Sequence, residues 1–309
     1  MARTQDQQVP GTMILTAENY YSTEADRTYL SCSQFEDFLN CEAATVARFE
    51  GRYRPKKSLA FLVGNFFHSA FEGKEAHEAF IEEHKNEILK KNGELKADFL
   101  KAQEMISVAL ADKNIRRLVE ADGEVEKIMT GRLFGRYPWK IRLDKYIPDL
   151  YGQKAMRQII DWKTVGSVEE RIWSDELHEK VSFVKAFRYL FRAAVYMEIE
   201  KQYSGQDTDP IFWLVCISKQ DPPDKAVIAL DGRRQYLDLE LEKVKEKIWH
   251  MQQLKDGLAI PKRCGKCPYC RATKRITQVL DFWKLDPDDR PELEDDYAMD
   301  QEVILDVAD

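Results

Sequence analysis

The 309-residue sequence lacks the features that mark membrane-bound and exported proteins. No apolar run approaches the roughly 20 residues that a membrane-spanning helix needs. The N-terminal stretch MARTQDQQVPGTMILTAENYY does not show the basic-then-apolar order of a signal peptide. We therefore expect a cytoplasmic protein that does not bind a membrane. In that reducing compartment, six cysteines indicate metal ligands or core residues rather than disulfides.

The chain also lacks internal repeats, low-complexity linkers and a P-loop. Without a P-loop, it brings no nucleotide-driven motor of that type. Its length and its 44% hydrophobic content suit one large domain or two small ones. We interpret residues 29–280 as a single domain, preceded by an N-terminal arm at 1–28 and followed by an acidic tail at 281–309.

The net charge of −7 conceals an uneven distribution. The tail holds 12 of the 54 acidic residues and 2 of the 47 basic ones, which leaves 45 basic against 42 acidic residues in the body. The body is thus mildly basic. An acidic terminus is usually a solvated appendage, and competition with a polyanion for a basic groove is the less favoured interpretation.

Hydrophobic periodicity predicts helices in the first 120 residues and strands after them. Ser33 and Glu36 fit a capping box that begins a helix ending at Gly51, and LAFLVGNFFHSAFEG is a second, apolar helix. The predicted strands lie near 124–130, 132–137, 139–147 and 156–164, within DPIFWLVCISK and near KAVIALD. Long helices are predicted from about Ser182 to Tyr203 and in LDLELEKVKEKIWHMQQLKDG. This order predicts one α/β domain whose small mixed sheet is flanked and wrapped by N-terminal and C-terminal helices.

The segment RQIIDWKTVG ends an apolar strand in an acid and a base. Alternation places Asp161 and Lys163 on one face, while Ile160 and Trp162 point to the other. If the preceding strand pairs as a hairpin, Asp144 meets Asp161. Two such carboxylates repel unless a cation such as Mg²⁺ or Mn²⁺ lies between them, and a nearby lysine can orient a water. An Asp-x-Lys pair alone is typical of a solvated ion pair, but the second acid and the apolar flanks favour a site.

A histidine on an apolar helix adds to this pattern. The stretch GNFFHSAFEG places Gly64 four residues before His68. Such a histidine is usually a satisfied core residue. Here we expect Gly64 to allow close approach of a neighbouring backbone and His68 to face the carboxylate pair.

In this order the residues resemble the motifs of the PD-(D/E)XK nuclease superfamily. The matching residues are Gly64, His68, Asp144, Asp161 and Lys163. Within the superfamily, the sequence is similar to the RecB-like branch and its phage and prophage RecE-type exonucleases, over roughly residues 30–275. The resemblance implies a restriction-endonuclease-like core.

The resemblance also implies roles for individual residues. The implied metal ligands are His68, Asp144, Asp161 and the backbone carbonyl of Trp162. Lys163 would position the attacking water, and Glu126 is a candidate for a second-shell or second-metal role. The family's Gln-x-x-x-Tyr motif aligns with Arg192 and Tyr196, so arginine replaces glutamine. Tyr196 stays a catalytic candidate at the edge of the active site, and Arg192 is a candidate phosphate contact or a plain surface residue.

The stretch RCGKCPYCR supplies three closely spaced thiols, Cys264, Cys267 and Cys270, which indicate a metal site. Cys41 is the natural fourth ligand. This set resembles that of iron–sulfur nucleases of the AddB-type and CRISPR-adaptation groups, although their C-terminal spacing is longer. An iron–sulfur cluster and Zn²⁺ both stay open as the cofactor. We interpret Cys32 and Cys216 as core residues.

Two basic clusters suggest a path for a DNA backbone through phosphate contacts. They comprise Arg48, Arg52, Arg54, Lys56 and Lys57, and then Lys262, Arg263, Lys266, Arg271, Lys274 and Arg275. Phe134, Tyr137 and Trp139 are candidates for stacking on frayed bases, although aromatic residues of a hairpin are more often core.

We therefore expect a Mg²⁺-dependent DNA exonuclease that hydrolyses phosphodiesters from duplex ends. The resemblance implies phage-type recombination beside a RecT-like annealing protein, and a ring-shaped homo-oligomer. Two alternatives are a CRISPR-adaptation nuclease that trims DNA and a non-catalytic DNA-binding module built on the cysteine site.

Overall fold

The computed structural model describes residues 12–56, 58–149, 156–174, 177–230, 234–276 and 279. The helices are α1 (Thr23–Thr28), α2 (Cys32–Asn40), α3 (Glu42–Phe49), α4 (Leu59–Glu72), α5 (Lys74–Glu83), α6 (Lys85–Ile88), α7 (Ala97–Ala111), α8 (Lys113–Glu120), α9 (Phe183–Ala186), α10 (Tyr189–Ser204), α11 (Arg234–Lys255) and α12 (Pro268–Ala272). The strands are β1 (Glu124–Leu133), β2 (Tyr137–Ile147), β3 (Gln158–Val165), β4 (Arg171–Ser174), β5 (Glu179–Ser182), β6 (Ile211–Ser218) and β7 (Lys225–Ala229). Among these helices, none is both long and apolar enough to cross a membrane.

The main sheet has five strands in the order β1-β2-β3-β6-β7. Its β3–β6 pair is parallel and the other neighbours are antiparallel, while β4 and β5 form a separate hairpin. The predicted α/β class with a small mixed sheet between helices is therefore confirmed. A parallel pair needs a long crossover, and here the crossover from β3 to β6 carries the small hairpin, α9 and α10.

Helices cover both faces of this sheet. On one face α4 and α7 pack against Ile160 and Trp162 of β3. On the other face α2, α10 and α11 pack against Ile159 and Leu214. Because Ile160 and Trp162 lie in the layer of α4, Asp161 and Lys163 start from the opposite side of β3, as the alternation predicts.

The predicted helix up to Gly51 is divided into α2 and α3 at Cys41. Ser31, not Ser33, caps α2, because its hydroxyl accepts a hydrogen bond from the Gln34 amide at 3.3 Å. The predicted capping box is therefore wrong. Cys41 has extended backbone angles and its Sγ accepts from the Ala44 amide at 3.4 Å, so it caps α3.

Three further expectations differ from the structure. The strand predicted at 132–137 is the end of β1 plus a turn, which Phe134 enters in the left-handed region with φ of 54°. The long helix predicted from Ser182 is split into α9 and α10 by Arg188, with φ of 53°. The N-terminal region is not wholly irregular, since it forms α1. The acidic tail lies outside the described residues.

A buried ion pair fixes the start of β3 to the end of α10. Arg157 Nε donates to Glu200 Oε1 at 2.7 Å, and the Tyr146 hydroxyl donates to the same oxygen at 2.6 Å. The Arg157 side chain is 2% exposed and that of Glu200 is 0% exposed. Removing one partner of such a pair leaves an uncompensated buried charge, which is costly.

We expect Glu200→Gln to lower the free energy of unfolding by about 3 kcal/mol, because Arg157 then lacks its counter-charge. Urea unfolding measures the change. Glu78→Gln is the control, since the Lys74–Glu78 pair is 81% and 65% exposed. That control should lose at most about 0.5 kcal/mol. Equal losses in the two variants would contradict the structural role of Glu200.

Candidate active site

The candidate site lies where β2 and β3 separate. Their ladder joins Lys145–Ile147 to Gln158–Ile160 and ends there. One residue beyond it, Asp144 Oδ2 accepts a hydrogen bond from the Trp162 amide at 2.8 Å. A carboxylate thus replaces a strand carbonyl as the acceptor for that amide, and the strands part beside it.

Lys163 lies between the two aspartates. Its Nζ is 2.6 Å from Asp161 Oδ2 and 3.7 Å from Asp144 Oδ2. It also donates to the Trp162 carbonyl at 2.9 Å. The contact with Asp161 is an ion pair without hydrogen-bond alignment, because Asp161 Oδ2 is buried with no hydrogen-bond partner in the described part of the chain.

His68 reaches the same place from α4. Its Nδ1 lies 3.3 Å from Asp144 Oδ2. Burial lowers the pKa of His68, against the opposing effect of the Asp144 charge, so the neutral imidazole is favoured. The expected role of Gly64 in close backbone approach is wrong, because a Cβ built at Gly64 meets nothing within 4 Å.

The electrostatics of Asp144 favour its carboxylate form. Burial alone would raise the pKa of Asp144, but the charges of Lys163 and His68, the Trp162 amide and the charge of Arg192 lower it. The carboxylate of Asp144 is therefore ionised, which is the form that binds a cation.

The donor set fits a hard divalent ion in its chemistry. The ammonium of Lys163 contacts Asp144, Asp161 and the Trp162 carbonyl, so these three oxygen donors converge on one positive charge. The ligand atoms of His68, Asp144 and Asp161 do not all lie within 4.8 Å of one another; in the described residues, only the four cysteines form a group that close. A divalent ion held by these oxygens would take the place of the Lys163 ammonium between them.

Glu126 lies beside this centre. It stands opposite Asp144 in the register of β1 and β2, has φ of 53°, and forms a close ion pair with Arg142. Burial, together with the charges of Asp144 and Glu72, raises the pKa of Glu126 to about 7, against the effect of Arg142. Glu126 therefore lies near Asp144 and Glu72, as a ligand of a second metal would. Its negative charge, however, is already balanced by Arg142.

Arg192 and Tyr196 lie on the α10 side of Asp161. Arg192 Nη2 is 3.6 Å from Glu36 Oε2 on α2. Tyr196 is buried, with its ring centroid 6.2 Å from that of Phe212, and burial raises its pKa well above the usual value. Tyr196 is therefore part of the core under the site, and Arg192 is the more polar neighbour of the acids.

Sequence reasoning missed three charged neighbours of the site. Arg142 shares the strand face of Asp144 two residues away, and Glu72 lies one helical turn after His68. A spacing of two on a strand and of four on a helix places residues on the same face, so the sequence alone could have identified Arg142 and Glu72. Glu36 matches a capping pattern in the sequence, and no local pattern places it against Arg192.

The four predicted cysteines meet at one point. Cys41 Sγ lies 3.5 Å from Cys270 Sγ, and Cys264 Sγ lies 3.9 Å from it. All four sulfur atoms, including that of Cys267, lie within 4.8 Å of one another. Hydrogen bonds from the backbone amides of Cys267 and Lys266 lower the pKa of Cys264 to about 6, which favours the thiolate that binds metal.

The remaining sequence candidates are divided by burial. Trp139 and Tyr137 are buried, so their expected stacking on bases is wrong, while Phe134 is exposed. Cys32 and Cys216 are buried core residues, as predicted. The described basic residues near the cysteines are exposed apart from the half-buried Arg48, and Lys57 lies outside the described residues.

Comparisons with known proteins concern the family and the fold of the chain. The family described as a PDDEXK-like domain of unknown function (DUF3799) matches residues 31–273. The crystal structure of a "putative exonuclease" from Eubacterium rectale is 32% identical, with a TM-score of 0.77, over 88% of this chain and 98% of that chain. The structure of SSO0001 is 14% identical over 76% of this chain and 96% of that one, with a TM-score of 0.26. No curated protein matches the chain.

We expect Cys41→Ala to remove most of the metal bound by the purified protein, because it deletes one of four converging thiols. Elemental analysis measures the metal, and a thermal melt should show a lower Tm. Cys216→Ala is the control, since this buried thiol lies in β6 outside the cluster. Unchanged metal content in Cys41→Ala would contradict the site.

Proposed function

Because the chain belongs to the PDDEXK-like family and is thereby a nuclease, we propose that it is a Mg²⁺- or Mn²⁺-dependent exonuclease acting on the ends of duplex DNA. The observation that carries the proposal is the convergence of Asp144, Asp161 and the Trp162 carbonyl on one positive charge, with His68 beside them. We propose exonuclease activity in particular because of the similarity to the protein from Eubacterium rectale and the RecE-type resemblance.

The residues of the chain divide the work of phosphodiester hydrolysis. His68, Asp144, Asp161 and the Trp162 carbonyl would hold the divalent ion, which polarises the scissile phosphate and makes a water more acidic. Lys163 would orient the attacking water, since its ammonium already reaches both carboxylates. The neutral imidazole that burial favours at His68 is the form that binds metal.

A basic surface around the cysteine site would hold the duplex. It consists of exposed Arg52, Arg54, Lys56, Lys262, Arg263, Lys266, Arg271, Lys274 and Arg275. Neither 51–58 nor 260–276 contains an acidic residue. Segment 51–58 leads into α4, whose His68 is nine residues beyond Leu59, or about 14 Å along the helix. That length corresponds to about four base pairs of duplex.

The biological setting of the proposal follows the resemblance. A RecE-type exonuclease leaves a single-stranded tail, so we propose a role in phage or prophage recombination with a RecT-like annealing protein as partner. A homo-oligomer belongs to the same proposal, because a ring would retain the duplex.

We propose that the four cysteines hold one tetrahedral ion, with Zn²⁺ favoured over an iron–sulfur cluster. Zinc–sulfur bonds of about 2.3 Å in a tetrahedron place the sulfur atoms about 3.8 Å apart. The separations of 3.5 and 3.9 Å to Cys270 Sγ agree with that value. A cluster would spread its thiolates further, because each thiolate binds a different iron. The ion would be structural, since it joins α3 to α12.

We expect Lys163→Ala to release nucleotides from end-labelled linear duplex with Mg²⁺ at least about 100-fold more slowly than wild type, because it removes the group that orients water. Lys74→Ala, which changes a lysine that is 81% exposed on α5, is the control and should match wild type. Nucleotide release at equal rates by Lys163→Ala and wild type would reject the mechanism.

We expect the purified protein to contain one zinc ion per chain and to be colourless. Mass spectrometry of the elements and an absorption spectrum test this. A brown protein with an absorption band near about 400 nm and several irons per chain would instead establish an iron–sulfur cluster.

A further inference from the structure

Three neighbouring side chains hold polar atoms that are buried without a hydrogen-bond partner in the described part of the chain. The atoms are Glu36 Oε1, Asp161 Oδ2 and Arg192 Nε. Buried polar atoms are nearly always paired in folded proteins, so a group of three requires an explanation. Glu36 Oε1 and Asp161 Oδ2 are acceptors, so Arg192 Nε is the one of the three that an anionic ligand at the candidate active site would complete.

The fold holds Arg192 firmly at this position. Arg188 takes the left-handed conformation just before α10, and the Arg192 amide donates to the Arg188 carbonyl at 3.1 Å in the first turn of the helix. The guanidinium lies 5.9 Å from the centre of the Tyr189 ring. A flat cation beside a flat ring is limited in the directions that it can take.

The pairing of Arg192 with Glu36 is loose. Their closest atoms are 3.6 Å apart, beyond the usual 2.7 to 2.9 Å of a charge-assisted hydrogen bond. Burial raises the pKa of Glu36, although the charge of Arg192 opposes this effect. The Arg192 guanidinium therefore has a counter-charge in Glu36, but its N–H groups are still able to donate to an acceptor that comes closer.

The charge of Arg192 reaches the catalytic groups. Burial raises the pKa of Asp144, and Arg192 adds to the larger effects of Lys163, His68 and the Trp162 amide that lower it. Burial lowers the pKa of His68, and the charges of Lys163 and Arg192 act in the same direction. A positive charge this close to the acids offsets the repulsion that a phosphate would meet on approaching them.

We propose that Arg192 binds a non-bridging oxygen of a substrate phosphate, and that Glu36 holds the guanidinium until the phosphate replaces it. The inference rests on the proposed function, because the phosphate is that of the DNA to be cleaved. A guanidinium offers two parallel N–H donors to a phosphate, which the amide of a glutamine at this position does not. Arg192 thus acts on the substrate and Glu36 is a positioning residue.

Binding without cleavage tests this proposal. The full chain carrying Lys163→Ala is titrated into a fluorescein-labelled 20-base-pair duplex, without divalent ions, at several salt concentrations. Adding Arg192→Gln should weaken binding about 5- to 20-fold and reduce the slope of log K against log salt by about 0.9, as expected for one lost phosphate contact. Arg192→Lys should keep most of the slope.

Two further variants distinguish a phosphate-binding role of Arg192 from a purely structural role of its charge. Arg234→Gln is the matched control, because Arg234 pairs with Asp209 at 2.7 Å outside the site and should leave the slope unchanged. Glu36→Gln should tighten binding, because it removes the competing carboxylate. A structural role predicts weaker or unchanged binding instead.

Unchanged salt dependence in Arg192→Gln, or weaker or unchanged binding in Glu36→Gln, would overturn the inference. Circular dichroism confirms that each variant is folded. The proposed nuclease activity fails separately, if wild type with Mg²⁺ releases no nucleotides while the loss of slope in Arg192→Gln persists.

Discussion

The hydrogen bond from the Trp162 amide to Asp144 determines the geometry of the site. An antiparallel ladder would normally continue along β2 and β3, and would pair this amide with a backbone carbonyl. The carboxylate takes that place, so the sheet opens where charged side chains are needed. The same bond holds Asp144 in one orientation, and from there His68 and Lys163 are both within reach. Asp144 thus serves both the backbone pairing and the proposed cation site.

Cys41 in the cysteine site likewise has two roles, since it caps a helix and contributes a thiol to the cluster. Cys41 ends α2 and caps α3, so the chain must turn there before any metal binds. Its sulfur then meets three thiols from a segment more than 200 residues later. Since the adjacent stretches are basic and free of acid, one ion would stabilise the turn and the positive surface together.

Local patterns predicted much of this arrangement. Alternation placed Asp161 and Lys163 on one face, and the hairpin order brought Asp144 to Asp161. The split of α2 from α3, the break at Arg188 and the burial of Trp139 were missed, because each depends on packing between distant segments. Ser33 matched a cap by type, yet Ser31 has the extended backbone that a cap requires. The loose Glu36–Arg192 pair joins helices about 150 residues apart, and no periodicity reports such a contact.

The parallel pairing of β3 with β6 has a consequence for synthesis on the ribosome. A nascent chain that ends before β6 already contains Asp144, Asp161 and Lys163. It lacks β6, which pairs with the whole length of β3, the strand of Asp161 and Lys163. Helix α10, which carries Arg192, is fixed at its C-terminal end only after Glu200 has formed its buried ion pair with Arg157. We therefore expect the proposed active site to assemble only after most of the polypeptide has emerged. For a protein able to damage nucleic acid, such a delay keeps unfinished molecules harmless.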